Sequence, residues 1–157
     1  MHKDYLRPTI KGEASSVIKS ILDATQEICR FLRHSPIIVL ESSNEFGDTQ
    51  LHQDVHSDEI IEKHLRKNPE VKAFGSEERP GWNQIAEGEG YVVTYDPLDG
   101  SSIVDTNFSI GSIFSIWKTG ENKLIGNKVS DQVNAVITIF GPRTTAVYYN
   151  EAEEKVQ

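Results

Sequence analysis

The chain has a single cysteine, Cys29, among its 157 residues. One thiol cannot close an internal disulfide, so no covalent staple is available, and the usage favours a soluble intracellular setting. Basic residues are not in excess. Sixteen Lys and Arg against 24 Asp and Glu leave a net charge of −8. A nucleic-acid or anionic-membrane surface needs a basic stripe, so neither partner is expected. No apolar run is long enough to span a bilayer, and the opening MHKDYLRPTIKGE lacks a signal-peptide core. A P-loop ending in Lys-Ser or Lys-Thr is also missing, which excludes nucleotide hydrolysis of that kind. What is present, 37% hydrophobic and 25% charged residues, is the composition of one ordinary globular domain.

Apolar spacing divides the chain. Val17, Ile18, Ile21, Leu22, Ile28, Phe31 and Leu32 fall on one face of a helix over about 14–33, which Ser35-Pro36 ends. PIIVLES is a short apolar run that suits a strand or a packed loop. A second helix is expected over about 49–67, with Leu51, Val55, Ile61 and Leu65 inward, stopped by Asn68-Pro69. Strands are expected at 71–74, at 91–95 and at 108–117, where Phe108, Ile110, Phe114 and Ile116 share a side. SDQVNAVITIFGP reads as a helix, because Val133, Val136, Ile137 and Phe140 have helical spacing and Gly141-Pro142 resembles a helix stop. RTTAVYY follows as a strand and NEAEEKV as a solvated end. The fold class is α+β or layered α/β.

Acids collect where these elements end: Asp48 and Asp54 in FGDTQLHQD, Glu77 and Glu78 in SEE, Asp96 and Asp99 in DPLDG, and Asp105 in IVD. A hard divalent cation takes oxygen ligands of this kind, and DPLDG could offer two carboxylates and the Leu98 carbonyl from one tight turn. Gly100-Ser101-Ser102 supplies backbone N–H groups at the start of a short helix, where phosphate binds well. Together these suggest metal-assisted attack of water on a phosphate ester. Each motif also has a plain structural use. Asp-Pro and Asp-Gly are common turn dipeptides, SEE suits a solvated loop, and Asp54 and Asp58 suit exposed helix positions. His52 and His56 have a zinc-compatible i, i+4 spacing but lack the acid of the zincin pattern. The conjunction favours the metal site.

With these residues in hand, the chain resembles the sugar-bisphosphatase family of Mg²⁺-dependent, lithium-sensitive phosphatases, with its sedoheptulose-1,7-bisphosphatase branch nearest and its fructose-1,6-bisphosphatase branch next. FGDTQLHQD, SEE, YVVTYDPLDGSSIVDTNFSIGSIFSIW and FGPRTTAV carry the resemblance, and IVDTNF and GPRTT favour the sedoheptulose branch. It implies the N-terminal, metal-binding half of a layered αβαβα fold over 1–157, assembled as a homo-oligomer. It implies that Glu77, Asp96, Asp99 and the Leu98 carbonyl hold Mg²⁺ or Mn²⁺. Asp48, Asp54 and Glu78 would orient and deprotonate water. Gly100, Ser101 and Ser102 would hold the phosphate, and Asp105 would buttress the loop. The expected reaction is hydrolysis of a sugar bisphosphate, sedoheptulose 1,7-bisphosphate by preference, in the cytosol or a plastid.

Three departures qualify the likeness. Family members run to about twice this length, so the chain is expected to be an N-terminal portion that binds metal weakly and turns over poorly. RHSPIIVLESSNEFGD lacks the cysteine pair of plant sedoheptulose bisphosphatases, so thioredoxin switching there is not expected. Gly90 stands where AMP-responsive members carry lysine, which argues against AMP inhibition. The rival activities are hydrolysis of fructose 1,6-bisphosphate or of an inositol or nucleotide phosphate. A rival of another class is a non-catalytic metal-binding assembly module.

Overall fold

The computed structural model describes residues 10–43, 49–120, 124–150 and 155–156. Helix α1, Ser15–Leu32, buries Val17, Ile18, Ile21, Ala24, Thr25 and Ile28 along one stripe, as the spacing predicts. A small antiparallel pair, β1 (Val39–Ser43) and β2 (Thr49–Leu51), leads into α2, His52–Arg66. The second half of α2 buries Ile60, Ile61 and Leu65 as an ordinary amphipathic helix does. The first half differs from expectation. Leu51 and Val55 are only half-buried, while Gln53, Asp54, Ser57 and Asp58 turn inward. Asp54 and Asp58, which suited exposed positions, are 3% and 1% exposed.

The two helices pack on each other and on one face of a seven-stranded sheet of order β4-β3-β5-β6-β7-β8-β9. Its strands are β3 (Val71–Ser76), β4 (Arg79–Gln84), β5 (Tyr91–Asp99), β6 (Ile110–Lys118), β7 (Asn134–Phe140), β8 (Thr144–Asn150) and β9 (Lys155–Val156). Among the described residues only β3 and β5 pair in parallel; the other neighbours are antiparallel. The core lies between helices and sheet. Ile18, Ile21 and Ile28 of α1 and Ile61 and Leu65 of α2 join Phe74, Val93, Tyr95, Phe114 and Val136 from the strands. Each fully buried aliphatic or aromatic side chain there contributes roughly 1.5–3 kcal/mol by leaving water.

Residues 134–140 form a strand, not the expected helix. Their burial alternates strictly, with Val136, Thr138 and Phe140 inward and Ile137 and Ile139 outward. Because the outward positions are apolar too, the period of two is hidden and a false helical spacing remains. Gly141-Pro142 is then the β7–β8 connection rather than a helix stop. Strand β4 was not expected either, since ERPGW reads as a turn; Pro80 is tolerated because β4 is an edge strand. Phe108 lies before β6 and is 72% exposed, so it does not share the inward row of Ile110, Phe114 and Ile116. Of NEAEEKV, residues 151–154 lie outside the described residues.

Candidate active site

The acids arrive on three segment ends. Asp54 sits in the first turn of α2, and its carboxylate accepts the Leu51 N–H at 2.8 Å, satisfying one of the orphan donors of the helix start. Glu77 and Glu78 occupy the corner between β3 and β4. The parallel register sets Ser76 opposite Tyr95, and the Glu77 N–H bonds the Tyr95 carbonyl at 3.1 Å, so Glu77 comes to lie beside Asp96.

Strand β5 does not stop before DPLDG, as the tight-turn expectation had it. It runs on to Asp99 through a bulge, with three steps from Asp96 to Asp99 set against two from Ile113 to Gly111. A bulge bends a strand and re-aims its side chains. Pro97 is tolerated there because the ladder is already broken, and its carbonyl accepts the Ser112 hydroxyl at 2.7 Å. Gly111 faces this bulge, and a Cβ there would meet the Thr138 carbonyl oxygen at 2.6 Å. Asp96 accepts the Leu98 N–H at 2.9 Å, which fixes the carboxylate at the bend. Gly100, at φ 83, then turns the chain into a short 3₁₀ helix, Ser101–Thr106.

One cavity of about 510 Å³ gathers the result. Asp54, Glu77, Glu78, Asp96, Leu98, Asp99, Gly100, Ser101, Ser102 and Asp105 all line it. Asp48 lies outside the described residues. Asp99 and Asp105 are exposed on its rim, whereas Asp54 is buried. Ser101 takes a part the sequence did not suggest: its side chain lies near enough to Asp54 to favour that carboxyl's charged form.

Electrostatics follow from crowding. Burial raises the Asp96 carboxyl first; a hydrogen bond from protonated Asp96 to the Glu77 carboxylate and the Glu77 charge add to it, as does Asp99, and the result is about 7. Burial is also the largest influence raising Asp54, against the Leu51 N–H hydrogen bond and the nearby Ser101 side chain. Two carboxyl groups this close need a shared proton or a cation between them. Among the described residues no three His, Cys, Asp or Glu side chains already form a metal cage. Mg²⁺ asks for less, since it is usually held by one or two carboxylates with phosphate and water oxygens. The all-oxygen donor set of Glu77 and Asp96 fits that demand. The His52–His56 pair is not a rival centre: its rings stack at 5.7 Å and pack against Phe31.

Behind the cavity stands a network that sequence reasoning missed. Asp58 accepts the Tyr95 hydroxyl at 2.8 Å and the Nε of Arg79, whose guanidinium also reaches Glu62. Burial opposes the Arg79 charge, and Asp58 and Glu62 outweigh it. The available signal was the i, i+4 spacing of Asp54 and Asp58, which sets them on one helix face.

Known proteins share this fold. A Toxoplasma gondii protein described as a sedoheptulose-1,7 bisphosphatase superposes with a TM-score of 0.78 at 33% identity, covering 90% of this chain and 47% of that one. Leishmania major fructose-1,6-bisphosphatase in its holo form gives 0.78 at 27% identity, over 89% and 48%. These likenesses define the N-terminal half of a sugar-bisphosphatase fold. The model of the fructose-1,6-bisphosphatase N-terminal domain matches residues 1–154, and the chain belongs to that family. Among curated relatives, class 1 fructose-1,6-bisphosphatase of Campylobacter concisus (strain 13826) is 37% identical over 135 residues, 86% of this chain and 45% of that protein. Chloroplastic sedoheptulose-1,7-bisphosphatase of Spinacia oleracea is 47% identical over 107 residues, 66% and 27% respectively. The chain thus spans less than half the length of these relatives.

Proposed function

We propose that the chain supplies the metal- and phosphate-binding half of a sugar bisphosphatase, a hydrolase that removes one phosphate from a sugar bisphosphate. The observation that supports it most is the Glu77–Asp96 carboxyl pair lining one cavity with the Gly100–Ser102 turn. Glu77, Asp96, Asp99 and the Leu98 carbonyl would hold Mg²⁺, with Mn²⁺ as a substitute. When bound, such an ion supplies charge neutralisation at the phosphoryl oxygens and acidifies water. The N–H groups of Gly100 and Ser101 donate to the scissile phosphate, with Ser102 beside them. Asp54 and Glu78, with Asp48, orient the attacking water and take its proton. The new P–O bond forms as the phosphorus–sugar oxygen bond breaks, and the sugar oxygen leaves with a proton.

The proposed preference is for sedoheptulose 1,7-bisphosphate, supported by the higher identity of the spinach relative over the segment it shares. Fructose 1,6-bisphosphate is the second reading, supported by the larger share of the chain that the Campylobacter relative covers. Phosphate release by the full-length protein from both esters and from an inositol monophosphate, with and without Mg²⁺, tests the proposal. Mg²⁺-dependent release from a bisphosphate that Asp96→Asn abolishes is expected. Release that ignores Mg²⁺, or that Asp96→Asn leaves intact, would contradict it, and a preference for the six-carbon ester would move the assignment to the second reading.

A further inference from the structure

Asp54, Glu77 and Asp96 line one cavity only if three segments distant in sequence are held in one arrangement. The backbone supplies part of that through the β3–β5 ladder. Nothing in a ladder ties the start of α2, and so Asp54, to the strand ends. Asp58 does. It is one helical turn beyond Asp54 and 1% exposed. Its two oxygens accept from different strands: Oδ1 from the Tyr95 hydroxyl, Oδ2 from the Arg79 guanidinium. Tyr95 is the residue before Asp96, and Arg79 is the residue after Glu78.

The connection reaches the site backbone itself. The Glu78 N–H donates to Ser76 Oγ at 3.2 Å, Ser76 stands opposite Tyr95 in the parallel β3–β5 register, and the Tyr95 hydroxyl donates to Asp58. Arg79 closes the loop from the other side and extends to Glu62, one turn further along α2. A buried carboxylate is costly unless paired and hydrogen-bonded. Replacing such a pair by apolar residues often costs no stability, so stability alone does not account for it. Its position, one step behind each acid-bearing segment, does.

We infer that Asp58, clamped by Arg79 and Tyr95, is the positioning device of this site: it locks α2, the β3–β4 corner and the β5 bulge so that their acids meet one cation. This rests on the site assignment under Proposed function. Asp58 touches no reacting atom. It acts as the supporting shell of a metal site acts, where loss of an orienting partner typically weakens metal affinity roughly tenfold to a hundredfold.

The test is Mn²⁺ titration of the 157-residue chain, reading free Mn²⁺ by electron paramagnetic resonance, with circular dichroism melts on every variant. Asp58→Asn and Arg79→Gln are each expected to weaken Mn²⁺ binding by roughly tenfold or more. The double variant Asp58→Asn/Arg79→Gln, which strands no buried charge, should be no worse than the weaker single, because both remove one device. Arg79→Lys keeps the charge but not the planar fork and should restore only part of the affinity. Tyr95→Phe, which deletes one hydroxyl, should weaken binding by less than about tenfold and stay folded. A merely structural role would lower melting temperatures and leave the affinity of the folded variants unmoved. If the double variant and Tyr95→Phe fold and bind Mn²⁺ like the unaltered chain, the inference is overturned while the site assignment stands. If the unaltered chain binds no Mn²⁺, the site assignment falls and the inference with it.

Discussion

The two faces of the sheet are built to different rules. On the inner face, Phe114, Ile116 and Val136 are fully buried beneath α1 and α2, and the site acids sit at the rim of that covered side. On the outer face, Ile113, Ile137 and Val147 lie in direct register across β6, β7 and β8, each about two-fifths exposed. The inner face shows where packing fixes chemistry in place. The outer face shows how a partly exposed apolar surface disguises a strand as something else.

Substitutions on the two faces should separate widely, and the site at the rim should be the most sensitive of all. Asp96→Asn is expected to remove several orders of magnitude of Mg²⁺-dependent phosphate release, as loss of metal catalysis does; retained turnover would detach the acids from the chemistry. Phe114→Ala should cost about 3–5 kcal/mol in a urea melt, since it empties a fully buried ring position. An outer-face change matching that loss would erase the contrast between faces.

A smaller effect is expected with pH. Asp96 holds its proton in the folded chain up to about 7, above its ordinary carboxylate value. Between those limits the folded state binds more protons than the unfolded one. Stability of the cation-free chain should therefore fall as pH rises from 5 to 8. Asp96→Asn should flatten that slope, and Mg²⁺, which competes with the proton, should oppose it. Urea midpoints at the two pH values, with and without Mg²⁺, report the sign. The smallest effect belongs to the outer face: Ile137→Thr, 46% exposed, should cost under about 1 kcal/mol, most of it cross-strand contact with Ile113 and Val147.

Much of this was legible in the sequence because its signals are local. The α1 stripe shows at 3.6-residue spacing, the SEE and DPLDGSS segments announce themselves by residue type, and all their acids line one cavity. What stayed hidden depends on long-range pairing. Strand β7 is apolar on both sides, so its period of two does not appear. Edge strand β4 begins with Arg-Pro-Gly, residues that read as a turn. The β5 bulge shows only when Gly111 is set opposite Asp99. Asp58, Arg79 and Tyr95 lie 16 to 37 positions apart in the chain, and no local pattern says that one carboxylate would bind both partners.

The central claim is that acids from separate segments converge on one divalent cation in front of an amide-lined phosphate pocket. A crystal structure of the chain grown with Mn²⁺ and inorganic phosphate tests it most directly, through the anomalous signal of the metal. The predicted result is a peak about 2 Å from carboxylate oxygens of both Glu77 and Asp96, with a phosphate oxygen facing Gly100 and Ser101. Manganese bound elsewhere, or Glu77 and Asp96 turned apart with no metal between them, would contradict the account.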